Sequence, residues 1–224
     1  MTSRRLVALL LGALLLTPAC ASATDHDSSA PSARTPAEEP AESPKPPVAV
    51  HSLTAAEVQQ GWWGWAVSAE EERSPVLDTT GRWCAELQRE NLWYLAGTTG
   101  GKVVERKCTV PVGVPVLFPV VTRFGEATEC MDFMDTAKGS ATLDDAPLTA
   151  EPIGTTPIGL VGVPGNAFGE DIGNTWACGL WVRLDPPAPG SHELTIRGES
   201  GAMGFATGVD YHLLVAAPTP TGAV

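Results

Sequence analysis

Basic side chains are scarce in this 224-residue chain: 14 Lys and Arg stand against 26 Asp and Glu, a formal net charge of −12. That balance excludes a nucleic-acid partner, because phosphates call for a basic face. Charge of either sign is thin at 18%. Long apolar runs are missing too. Leu6–Leu16 holds eleven residues, about half of the roughly 20 that a membrane-spanning helix needs. No Cys-x-x-Cys pair exists, which argues against a zinc site. Gly-x-Ser-x-Gly, Walker A and His-Glu-x-x-His are likewise absent, so catalytic residues stay unassigned and neither cofactor nor metal is expected.

What the chain does have is turn-forming residues: 23 Gly and 20 Pro. With 43% apolar residues, wholesale disorder is excluded, and short strands are favoured over long helices.

Arg4 and Arg5 followed by Leu6–Leu16 read as an export signal spanning 1–20. Leu16-Thr17-Pro18-Ala19-Cys20 resembles a bacterial lipobox, with Pro18 departing from the usual pattern. The competing reading is ordinary cleavage after Ala19-Cys20-Ala21 or Ala21-Ser22-Ala23, followed by free secretion. Parity favours lipidation: taking Cys20 as an anchor leaves Cys84, Cys108, Cys130 and Cys178, an even set for two bridges in an oxidising compartment. The membrane would then be a partner through two acyl chains. Residues 21–50 are rich in Pro, Ala, Ser and Thr and read as a disordered tether.

The folded domain is expected over 51–216, with a flexible tail at 217–224. All seven Trp fall between Trp62 and Trp181. Thr54-Ala55-Ala56-Glu57 fits a capping box opening a helix whose stripe runs through Val58 and Trp62. A second helix is expected over Glu126–Lys138, stopped by Gly139, with Cys130, Phe133 and Met134 inward. Most other segments alternate. Arg106, Cys108 and Val110 share a face with Val104. Val114–Thr122 reads as a strand buried on both faces, and Ala141–Leu148 as a hairpin turning at Asp144-Asp145. Trp176, Cys178, Leu180, Val182 and Leu184 form one face, followed by Leu194 and Ile196 and then Val209–Val215. The expected fold is mainly β: an antiparallel β-sandwich or jelly roll with one or two short helices. The expected disulfides are Cys84–Cys108 and Cys130–Cys178, each joining segments across turns.

Trp62-Trp63-Gly64-Trp65, Leu77–Gly81, Leu92–Thr98, Arg106–Pro111, Leu117–Pro119, Thr142–Asp144 and Pro189–Thr195 resemble, in order and type, a group of uncharacterised exported bacterial β-rich proteins and lipoproteins. The resemblance implies an exported β-rich domain and transfers no functional residue. Arg183–Val215 is also similar in pattern to the closing strands of extracellular immunoglobulin-like and carbohydrate-binding sandwiches.

Candidate ligand-binding residues are Trp63, Trp93, Glu86 and Arg106. Indole faces stack on sugar rings, although strand and helix Trp are more often core; Trp63, off the Val58–Trp62 stripe, is the one expected to be exposed. Glu86 and Arg106 are expected to pair near Cys84–Cys108. Glu126, Glu129, Asp132 and Asp135 read as a solvated stripe, with Ca²⁺ as the sharper alternative. His192, His212 and Asp210 are weighed as a surface cluster against ordinary exposed strand residues. The expected function is a non-enzymatic, envelope-tethered or secreted protein binding a cell-envelope glycan or protein. The alternative is an extracellular polysaccharide hydrolase or lyase.

Overall fold

The computed structural model describes residues 45–217. The export signal, Cys20, most of the tether and all but the first residue of the tail lie outside that range.

Among the described residues, nine strands form two mixed sheets, with β1 Trp93–Tyr94, β2 Val104–Pro111, β3 Val116–Gly125, β4 Ala137–Leu143 and β5 Ala146–Leu148. The chain continues through β6 Glu151–Leu160, β7 Gly173–Leu184, β8 Gly190–Ser200 and β9 Phe205–Ala216. The first sheet runs β1-β3-β7-β6 and the second β2-β9-β8-β4-β5. The expected β-sandwich is therefore present. Its inner pairs are antiparallel, while β1 joins β3 and β2 joins β9 in parallel.

Helix α1, Ala55–Ala66, starts at a capping box in which Thr54 Oγ1 accepts from the Glu57 N–H at 3.2 Å and Glu57 Oε2 accepts from the Thr54 N–H at 2.8 Å. Its Val58, Trp62 and Trp65 pack with Leu117, Ile158 and Trp181 of the first sheet. The opposite face of that sheet, with Phe118, Val120 and Val182, meets Leu194, Ile196, Val209 and Tyr211 of the second. The first sheet is thus sandwiched between α1 and the second sheet. This explains why β3 is buried at six consecutive positions, Val116–Val121.

Two features of the first sheet were illegible as strand signals. β6 carries Pro152, Gly154 and Pro157, a composition that reads as loop; it survives because it is an edge strand, where a missing N–H breaks no ladder bond. The β3–β7 register shifts between Pro119 and Val121, so the proline sits at a bulge. There β3 presses onto the second sheet. A Cβ on Gly198 would lie 2.3 Å from the Val120 carbonyl oxygen, and one on Gly139 2.5 Å from Val120 Cγ1. Only glycine permits that approach. Gly139 is consequently a strand residue, and α2 (Ala127–Thr136) ends before it; the helix expected to reach Lys138 gives way to β4 at Ala137.

Both expected disulfides are formed. Cys84–Cys108 ties the irregular segment before β1 to β2, and Cys130–Cys178 ties α2 to β7. Loop closures of 24 and 48 residues stabilise by roughly 3.5 and 4 kcal/mol in the chain-entropy account. They indicate an oxidising, extracytoplasmic environment. Among the described residues no helix is long and apolar enough to cross a membrane.

The domain starts earlier than residue 51. The Val48 N–H donates to Asn91 O, Asn91 Nδ2 donates to Pro46 O, and Val50 is buried. Two valines in a Pro-rich stretch supply enough apolar surface to dock the last part of the expected tether.

Candidate functional site

A cleft of about 260 Å³ opens beside the bulged end of β3. Its aromatic walls are Trp62 and Trp63 from α1, Phe124 from β3, Phe168 from the β6–β7 loop and Phe205 from the start of β9. Trp63 meets Phe124 and Phe168 edge-on, at centroid distances of 4.7 and 5.8 Å. The Trp63 indole N–H donates to Thr122 Oγ1 at 3.3 Å, and that hydroxyl donates to Cys178 O at 2.7 Å. The indole is therefore fixed before any ligand arrives.

The remaining wall is the turn Gly97-Thr98-Thr99. The Thr98 N–H donates to Thr207 Oγ1 at 2.6 Å. A Cβ on Gly97 would come within 2.5 Å of the same oxygen, so glycine is required for this contact. Thr122, Thr207 and Thr98 spend their hydroxyls on one another or on the backbone. Arg123 stands at the rim, bonded through Nη2 to Glu129 Oε2 at 2.6 Å. What the cleft offers a ligand is consequently largely apolar, with the Thr99 hydroxyl and the Arg123 guanidinium as polar exceptions.

Arg106 lies behind this wall rather than in it. Only 1% exposed, it donates through Nη1 to Ala96 O, Gly97 O and the Tyr211 hydroxyl, and through Nη2 to Val76 O, all within 3.2 Å. Val76 and Gly97 line the cleft; Arg106 holds them in place. Asp78 faces the same region. Burial would raise its pKa, but hydrogen bonds from the Trp83 and Thr80 N–H groups and the Thr80 hydroxyl, with the Arg106 charge, bring it below the usual carboxylate value.

Of the four expected site residues, Trp63 lines the cleft, Arg106 stands behind its wall, and Trp93 and Glu86 lie outside it. Trp63 is 5% exposed and forms a cleft wall instead of a surface platform. Trp93 is buried between the sheets. Glu86 pairs with Arg73 at 2.8 Å, not with Arg106: the two-residue offset from each cysteine carried no information about direction once Cys84 proved to lie outside any strand. The histidine cluster does not form either. His192 has the inward parity of Leu194 and Ile196 and bonds Asp144, whereas His212 faces outward and bonds Glu193. Among the described residues no group of three or more His, Cys, Asp or Glu could hold a metal ion. Phe168 and Phe205, which complete the cleft, had no sequence signal: each is a lone aromatic among Gly and Ala.

No protein-family model, curated protein or solved structure matches this chain.

Proposed function

We propose that this is an exported, envelope-tethered binding protein whose β-sandwich takes a small, largely apolar ligand into the aromatic cleft. The lipid anchor at Cys20 and the Pro-rich segment after it would hold the domain away from the membrane surface. The supporting observation is the cleft itself, lined by five pre-positioned aromatic side chains, Trp62, Trp63, Phe124, Phe168 and Phe205. At about 260 Å³ it lies just under the range of about 300–1,000 Å³ typical of drug-sized ligands, which selects a smaller molecule. No carboxylate lines it, so the paired-acid chemistry of a polysaccharide hydrolase finds no support there.

The test uses the neutral fluorescent probe N-phenyl-1-naphthylamine with the purified protein. Saturable uptake near one probe per chain is expected, with affinity falling at least tenfold in Thr99→Trp, whose indole would fill the mouth. Absence of uptake by the native protein, or equal uptake by Thr99→Trp, rejects the proposal.

A further inference from the structure

Trp176 is the large aromatic that the packing does not explain. Its relative exposure is 38%, whereas Trp62, Trp63, Trp65, Trp93 and Trp181 are all buried. It lies on β7 directly opposite Gly125 of β3 and Pro157 of β6. Cross-strand partners share a face, so on one side the indole meets a residue with no side chain. Pro157 on the other side is flat and rigid. One face of a sheet is thereby left with an uncovered ring.

The polar surroundings are equally specific. A shallow groove of about 370 Å³ is lined by Trp176 and Pro157 together with Asn174, Thr175 and Gln60. Gln60 pairs with the edge strand as another strand would: its Nε2 donates to Gly159 O at 2.7 Å and its Oε1 accepts from the Gly159 N–H at 2.8 Å. This closes the β6 edge and fixes the rim, leaving the second Nε2 hydrogen for a ligand. Thr175 donates to Gly125 O at 2.9 Å and keeps its acceptor capacity. Asn174 is exposed, with Oδ1 close above Gly159.

We infer that this groove is a subsite for a neutral pyranose unit of an extracellular glycan. A pyranose presents C–H bonds on one face and hydroxyls around its edge. The first matches the exposed indole, and the second matches the Asn174 and Gln60 amides at its rim. The charge selects among glycans. With 21 acids against 10 bases in residues 51–224, the domain repels polyanionic polymers and tolerates neutral ones. The subsite is lined by different residues from the aromatic cleft and does not rest on ligand binding there.

The test is retention of the purified protein on insoluble neutral polysaccharides (chitin, cellulose and a β-1,3-glucan) at 0.05 and 0.5 M salt. The expected result is retention on at least one polymer, insensitive to salt. Trp176→Ala should lower it at least fivefold, with Trp176→Phe intermediate and Thr99→Trp unchanged. Asn174→Ala, which leaves the ring in place, should lower it twofold or more and guards against misfolding of the Trp variant. Failure of every polymer to retain the native protein overturns the proposal, as does Trp176→Ala binding like the native chain.

Discussion

Replacing Arg106 with Met tests the account of the cleft wall most directly. Met keeps the unbranched shape and removes the guanidinium. Three backbone carbonyls lose a donor: Val76 O, Ala96 O and Gly97 O. Ala96 O keeps the Tyr211 hydroxyl at 2.8 Å, whereas Val76 O has no substitute among the described hydrogen bonds. A buried acceptor left unsatisfied costs about 1–3 kcal/mol, and Val76 O and Gly97 O are two such acceptors. Asp78, which the Arg106 charge helps to keep ionised, loses part of that support. The expected destabilisation is about 3–5 kcal/mol, hence a fall in Tm of roughly 6–20 °C for a domain of this size. Urea unfolding followed by Trp fluorescence gives the free energy, and calorimetry gives Tm. Probe uptake in the cleft should weaken under conditions where the variant is still folded, because Val76 and Gly97 lose their anchor. A loss below about 1 kcal/mol would refute the reasoning, showing that the carbonyls find other partners.

Two further outcomes are expected. His192 places Nδ1 2.7 Å from Asp144 Oδ2 and Nε2 2.7 Å from Ala188 O, so both ring nitrogens face acceptors and its pKa is raised, first by the Asp144 bond and then by the Ala188 carbonyl. That contribution is complete below the unfolded value of about 6.5 and is lost as pH rises through the folded value. On the acid side Asp144, lowered by the His192 bond, loses its contribution as pH falls through its own folded value. The Tm difference between native protein and His192→Asn should therefore shrink from pH 5.5 to 8.5; a constant or growing difference contradicts this assignment. Separately, Cys20→Ala should move the expressed protein from the detergent-rich to the aqueous phase on Triton X-114 partitioning, and unchanged retention removes the lipid anchor.

Where sequence pattern equals structural environment, the fold was readable. The period-two faces of β2, β8 and β9 came through because each is buried on one side only. Thr54-x-x-Glu57 announced its helix because the capping bonds are local. Both disulfides were expected from turn placement, each joining segments separated by a turn. β6 was hidden because its prolines are allowed only by its position at a sheet edge, a property of the assembled sheet. Trp63 was misplaced for a related reason. Distance from a helical stripe suggests exposure when a helix packs on one surface, but Phe124 and Phe168 converge on this residue from other segments.

Sequence alone therefore determined the character of the domain: acidic, turn-rich, disulfide-paired and mainly β. These are properties of nearest neighbours, of parity and of counting. Tertiary structure decided which aromatics face a cleft, which one remains uncovered, and that Arg106 props a wall rather than meeting a ligand. Those outcomes depend on segments far apart in the chain, such as Ala96 and Tyr211, 115 residues apart. No local pattern encodes their meeting, because the free energy that drives it is shared across the whole core.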